Sequence, residues 1–295
     1  MRNVVVSITG GLGNQLFQFA AAQSLCLSKK GNLVFEISHF ENQNSNESFR
    51  NFALDSFQIE YTYVSDKNLS KKYLKFNGIK KYFYKLPFIK KYFSENQNKF
   101  NSDFKKLETP VFLRGHFHSI KYFENFKNEI RSILSVKQIH KSQKVKEYEE
   151  LIMSLPDSVS IHFRRTDYVK NKFGEIAGGE LPLNYYYQSL KLISDHLQNA
   201  SLIIFSDDIE WVKANFYYDL PIYFIENASG GLNDNGIADL YLMSKCKNHI
   251  IANSTFSWWG AFLNKNLNKI VISPKWWTLE DYWTPNFEPV ILKNI

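Results

Sequence analysis

Two adjacent arginines stand at the expected end of a strand, in Ser160-Ile161-His162-Phe163-Arg164-Arg165-Thr166-Asp167-Tyr168. Strand alternation puts His162 and Arg164 on one face at the carboxyl end. Arginines are costly to bury and seldom serve packing. A guanidinium matches a diphosphate through paired hydrogen bonds and keeps its charge; the rival explanation is a surface pair bridged to Asp167 and nearby acids. A second stretch, Ala252-Asn253-Ser254-Thr255-Phe256-Ser257-Trp258-Trp259-Gly260, ends a strand in hydroxyl residues that open a helix. Exposed amides there suit phosphate, and simple capping over a tryptophan core explains the string equally well. Ser206-Asp207-Asp208 ends a further strand, where at least one aspartate is expected to cap the following helix. Asp239 lies in an otherwise apolar helical pattern, where its carboxylate could accept the N1 and N2 donors of guanine or sit in solvent.

A glycine turn precedes all of these. Gly11-Leu12-Gly13-Asn14-Gln15-Leu16 approaches the dinucleotide pattern G-x-G-x-x-G, with Glu36 where a ribose-binding acid would sit. Leu16 replaces the third glycine, which argues against a hydride-transfer enzyme. A turn that brings a substrate close to backbone remains. No two aspartates are spaced i, i+2, so a D-x-D site for a divalent ion on a nucleotide sugar is missing. His116 and His118 could share a strand face, but with no third ligand nearby they read as hydrogen-bonding histidines.

The elements that must position these groups follow from periodicity. Strands are expected at 3–9, 33–37 and 110–115, with a helix over 15–29 and a long charged helical stretch over 123–155. The middle, 38–106, lacks clear strands. Five further strands, at 159–163, 202–205, 222–225, 249–252 and 269–272, alternate with helices near 183–197, 208–216, 236–245 and 255–263. Such alternation describes open parallel sheets, two Rossmann-like domains facing a central cleft, with ligands at the carboxyl ends of the strands. Pro156 marks the boundary, giving domains 1–155 and 156–295.

Composition agrees with a globular chain: 295 residues, 44% hydrophobic and 22% charged, with two cysteines that cannot form a disulfide framework. No apolar run is long enough to span a bilayer, and the apolar start at residues 4–8 is too short for a signal-peptide core. A protein of a reducing, cytoplasmic compartment is expected. The net charge of +7 has one source: between Lys67 and Lys106 twelve lysines stand against Glu95 and Asp103, interleaved with aromatic rings. Core packing with solvated lysines or contact with an anionic membrane explains this segment, about 60–108, as an insertion. Nucleic acid is disfavoured, because no arginine lies between Arg50 and Arg114.

Together the motifs resemble the bacterial α-1,2-fucosyltransferases of glycosyltransferase family 11. Those that carry the likeness are Gly10-Gly11-Leu12-Gly13-Asn14-Gln15-Leu16-Phe17-Gln18, Gly115-His116-Phe117-His118-Ser119, the His162–Tyr168 string, Phe205-Ser206-Asp207-Asp208 and the Asn253–Gly260 string. The likeness runs from residue 3 to about 277. It implies a GT-B type α/β fold whose N-terminal domain takes the acceptor and whose C-terminal domain takes GDP-β-L-fucose. It further implies metal-independent, inverting transfer of fucose to the 2-hydroxyl of a terminal galactose in a β-galactoside, such as a lipid-linked surface-polysaccharide or O-antigen precursor at the inner membrane. Arg164 and Arg165 would then hold the diphosphate, with Ser254, Thr255 and Phe256 closing on it. His162 and Asp239 would contact the guanosine. Gly11, Gly13 and Asn14 would face the reacting sugar. For an inverting displacement the candidate base is Asp167, ahead of Glu180 and Glu175, and no strong base is required if leaving-group departure dominates. Departures are Thr166 where the family usually has glycine, and His116 and His118 where it has Tyr and Gln. Transfer with α-1,3 or α-1,6 regiospecificity, and a non-catalytic carbohydrate- or nucleotide-binding protein of the same fold, are the alternatives.

Overall fold

Three consecutive valines, Val4 to Val6, open the chain, and β-branched side chains favour extended backbone. They form β1 (Asn3–Ser7), with all three side chains buried. The computed structural model describes residues 2–41, 43, 49–74, 91–95, 100–166, 179–230, 235–274 and 293–294. The chain divides into two compact units, Met1–Ser135 and Val136–Ile295.

In the first unit, β1 is joined by β2 (Asn32–Glu36), β3 (Thr62–Val64), β4 (Lys91–Ser94) and β5 (Val111–Arg114). The order is β3-β2-β1-β5-β4 with every pairing parallel. Helix α1 (Leu12–Lys29) returns the chain from β1 to β2, and two short helices follow, α2 (Ser38–Glu41) and α3 (Leu69–Leu74). The expectation that 38–106 lacks strands is corrected: β3 and β4 form both edges of this sheet. Edge strands are short and partly exposed, so their alternation is weak. The segment 60–108 is therefore not a simple insertion. Phe93 and Phe104 from it are buried and pack ring to ring at 5.7 Å. Residues 75–90 and 96–99, which carry much of the lysine run, lie outside the described residues.

The expected long helix over 123–155 is also corrected. Single 3-10 turns alternate with α4 (Lys127–Ile133) and α5 (Gln143–Ser154). The Ser142 hydroxyl accepts the Val145 amide at 3.2 Å and restarts the helix as its N-cap. Helix α5 buries Val145 and Ile152 among Ile203, Phe205 and Leu242. It therefore belongs to the second unit, and the boundary falls at Ser135 and Val136 rather than at Pro156.

The second unit has β6 (Asp157–Phe163), β7 (Ala200–Ser206), β8 (Ile222–Phe224), β9 (Asn248–Ile250), β10 (Val271–Ser273) and β11 (Lys293–Asn294). Their order is β11-β10-β9-β6-β7-β8, again with parallel pairings. Helices α6 (Leu183–Ser194), α7 (Ile209–Asn215), α8 (Ile237–Lys245) and α9 (Thr255–Leu263) connect them. Strand β7 shows why its sequence is apolar throughout: Leu202 and Ile204 pack on one face with Leu190 and Ile193, while Ile203 and Phe205 face Met243. A sheet covered on both sides buries both registers. Each such side chain is worth about 1.5–3 kcal/mol of transfer free energy. Both cysteines, Cys26 and Cys246, are buried and free, and burial raises the Cys26 thiol to about 12.

His249 on β9 is buried and accepts the Asn264 side-chain amide at 2.7 Å. Burial, and secondarily the Lys269 charge, hold its imidazole down to about 3. The unfolded chain therefore takes up the proton first, and the stability present above about pH 6.5 is lost as pH falls from there. Relative to H249Q, the wild type is expected to lose up to about 2 kcal/mol of unfolding free energy between about pH 6.5 and 5. Urea titrations at both pH values check this, and parallel profiles would contradict it.

Candidate active site

Three neighbouring inner strands, β9, β6 and β7, run parallel and release their chains on the carboxyl side of the second sheet. The loop after β6 carries Arg164, Arg165 and Thr166, and its shape is set by Asp207 from the end of β7. One carboxylate oxygen of Asp207 accepts the Arg165 amide at 2.9 Å. The other accepts the Thr166 amide at 3.3 Å and its hydroxyl at 2.6 Å. That oxygen also pairs with Nη1 of Arg164 at 2.9 Å. Burial raises the Asp207 carboxyl, but Arg164, the Thr166 hydroxyl, the Arg165 amide and His162 outweigh it and hold the group below its ordinary value. Asp207 is thus a fixed anion that orients one guanidinium.

The structure divides the arginine pair. Arg165 is buried, donates through Nε to Asp208 at 3.2 Å, pairs with Glu180 and stacks its guanidinium 3.4 Å over Trp211. These contacts tie Arg165 and Glu180 to the loop after β6, a buttressing position in this structure. Asp208 occupies the N-cap position of α7 without a side-chain capping bond. Neither aspartate caps the helix as expected, because the arginines are the stronger partners. Asp167 and Glu175 lie outside the described residues.

Around this loop the structure gathers other expected residues. His162 is buried on β6, its carbonyl accepts the Tyr186 hydroxyl at 3.1 Å, and its ring lies 5.6 Å from that of Phe256. Gly236, the positive-φ N-cap of α8, lies against Phe256: a Cβ there would stand 3.1 Å from the ring. The start of α8, with partly buried Asp239 in its first turn, therefore meets the start of α9, whose Phe256 lies beside His162. Ser254 is the N-cap of α9 but makes no side-chain capping bond. Thr255 is the first residue of that helix, whose tryptophans Trp258 and Trp259 are core. Gly260 lets α9 approach α8 closely, since a Cβ would come within 2.8 Å of Met243.

In the first unit, Gly10 takes φ +76, a conformation that side chains resist, and Gly11 is the N-cap of α1. Gly13 is buried in the first turn. Asn14 follows, its Oδ1 3.1 Å from Nε2 of His118. His116 and His118 stack at 5.0 Å, on a loop rather than on the expected strand face. Glu95 is the cause: one of its oxygens accepts the His116 and Phe117 amides at 3.0 and 2.7 Å, diverting both from the sheet. Burial pushes the Glu95 carboxyl up and the imidazoles of His116 and His118 down. Among the described residues no three His, Cys, Asp or Glu side chains are grouped to hold a metal ion.

Sequence reasoning missed the two glutamines that fix the glycine turn. Gln15 donates to the carbonyls of Gly10 and Asn51 and accepts the Ala53 amide, all within 2.9 Å. Gln18 accepts the Thr9 amide at 2.9 Å and donates to the Gly115 carbonyl at 3.2 Å. Both are fully buried. Their signal was two amides, three residues apart, set among Leu16, Phe17, Phe19 and Ala20.

Replacing Asp207 with asparagine removes the carboxylate that pairs with Nη1 of Arg164. Unfolding free energy is expected to fall by about 1–3 kcal/mol at neutral pH. Because the folded carboxyl titrates below the unfolded one, its stabilisation is present above about pH 4 and is lost as pH falls through the lower folded value. The gap between wild type and D207N should therefore close in acid; a pH-independent gap in denaturation midpoints would refute the assignment.

Residues 3–284 match the family model for glycosyl transferase family 11. The O-antigen biosynthesis glycosyltransferase WbnK of Escherichia coli is 31% identical over 284 residues, which cover 92% of this chain and 93% of that protein. An alpha-1,2-colitosyltransferase of the same organism is 33% identical over 283 residues, covering 94% and 93%. Among solved structures, NodZ alpha-1,6-fucosyltransferase with GDP superimposes at TM-score 0.52 and 14% identity, over 92% of this chain and 94% of its own. Arabidopsis thaliana FUT1 with GDP gives 0.53 at 13% identity, over 92% and 70%. At such identities these structures speak for the fold alone, two α/β units with parallel sheets of GT-B type. With the family model spanning nearly the whole chain, the chain belongs to glycosyltransferase family 11.

Proposed function

We propose that this chain transfers L-fucose from GDP-β-L-fucose, with inversion and without a metal, to the 2-hydroxyl of a terminal galactose in a β-galactoside. The observation that carries the reading is Arg164, held by Asp207 at the end of the central strand β6. As fucose leaves GDP, positive charge spreads over the sugar ring and negative charge grows on the diphosphate. A guanidinium already oriented by a carboxylate meets that charge without reorganisation, and one such donor is worth roughly 10²–10³ in rate. The α9 amides behind Ser254 and Thr255 add to it. Asp239 takes the guanine N1 and N2 donors, His162 and Phe256 line the nucleoside, and Arg165 keeps the loop rigid. Asn14, beside His118, meets the reacting sugar. Asp167 takes the acceptor proton.

The O-antigen biosynthesis relative supports a place in O-antigen or related surface-polysaccharide synthesis. Our reading adds a lipid-linked acceptor that brings the protein to the inner membrane, where the lysine-rich segment meets anionic lipid. No helix among the described residues is long and apolar enough to cross a membrane. A second reading has one observation in its favour, the 33% identical alpha-1,2-colitosyltransferase. Colitose is fucose without its 3-hydroxyl, and the diphosphate chemistry is unchanged.

Incubation with GDP-fucose and lactose, with and without EDTA, is expected to release GDP equally, and NMR of the product should show an α-1,2 linkage. Absence of transfer to any β-galactoside would overturn the reading, and preference for GDP-colitose would select the second. Arg164→Lys keeps the charge and loses the fork. Turnover should fall at least about 100-fold with thermal stability retained; near-normal turnover would remove Arg164 from this role.

A further inference from the structure

The first unit holds a pocket of about 540 Å³ built entirely from its own residues. It opens at the carboxyl ends of the strands: Ser7 ends β1, Glu36 ends β2, Ser94 ends β4 and Arg114 ends β5. The strand order reverses between β1 and β5, the switch point where open α/β sheets take ligands. The lining is hydroxyls, carboxylates, imidazoles and cations, with Phe112 as its one large apolar side chain among the described residues. That chemistry suits a polyol and repels an apolar guest.

The two carboxylates of the lining differ in what they have left to offer. One oxygen of Glu95 already accepts two backbone amides, and the other faces the Tyr122 hydroxyl at 3.4 Å. It is a structural floor. Glu36 is buried to 6% exposure and fixed by its neighbours in the lining, one oxygen by the Ser7 hydroxyl at 3.0 Å and the other by the Ser38 amide at 2.9 Å. A carboxylate oxygen accepts two hydrogen bonds, so each retains a place for a donor. Two such oxygens side by side match neighbouring hydroxyls on a sugar ring, and charge-assisted bonds of this kind are the stronger class.

We propose that this pocket is the acceptor subsite and that Glu36 determines specificity by accepting hydrogen bonds from two adjacent hydroxyls of the acceptor sugar. The inference rests on the proposed function. With the 2-hydroxyl reacting, the pair left for Glu36 on a terminal galactose is the 3- and 4-hydroxyl.

The test compares wild type with Glu36→Gln. The KM for lactose should rise at least 10-fold while the KM for GDP-fucose stays within twofold. Wild type should lose at least 10-fold in kcat/KM on galactosides lacking the 3- or 4-hydroxyl, and E36Q should treat these and the parent nearly alike. An unchanged lactose KM, or equal deoxy penalties in both proteins, overturns the inference. A second arm needs no turnover. Saturation-transfer NMR of methyl β-galactoside on the whole chain should show contact at the 3- and 4-positions in wild type and lose it in E36Q, even if fucose is not the sugar moved. Equal signals from both proteins overturn the pocket assignment. Should E36Q fail to fold, Ser70→Trp places bulk in the pocket and leaves the Glu36 carboxylate chemically unchanged; it should abolish galactoside contact while GDP binding is retained, and unaltered galactoside contact again overturns the inference.

Discussion

A single carboxylate organises the second unit. Asp207 gathers the Arg164 guanidinium, the Arg165 and Thr166 amides and the Thr166 hydroxyl. Removing any polar group from water costs free energy unless partners replace it, and a carboxylate with four donors is well compensated. The remaining constraints point the same way. Arg165 is clamped between Asp208, Glu180 and Trp211, so the loop cannot swing without breaking ion pairs and a stacked contact. Arg164 is therefore aimed by the fold.

The first unit solves a related problem with amides. Gln15 and Gln18 tie the glycine turn to the 51–53 segment and to Gly115, while Glu95 shapes the loop that brings His118 to Asn14. These buried polar groups are satisfied within the unit, which is why a turn with few side chains of its own keeps one shape.

Much of this was legible in the sequence. Valine, isoleucine and leucine runs marked β1, β6 and β7, and the helices between them followed from spacing. The arginine pair follows β6 and the Asn253–Gly260 string opens a helix, as their residue types indicated. Illegible parts share a cause. Strands β3 and β4 are short edges whose residues are shared between core and solvent. The division of labour between Arg164 and Arg165 depends on Glu180 and Trp211, which are distant in sequence. The loop at His116 follows from Glu95, a residue that reads as one acid in a basic stretch.

The close packing of α8 and α9 at Gly260 and Met243 has a mechanical corollary. Two helices whose backbones are separated by so little cannot tilt independently, and Phe256 against Gly236 locks their leading ends as well. A tilt of one helix would therefore have to carry the other with it, and the side chains at their leading ends share one fixed support.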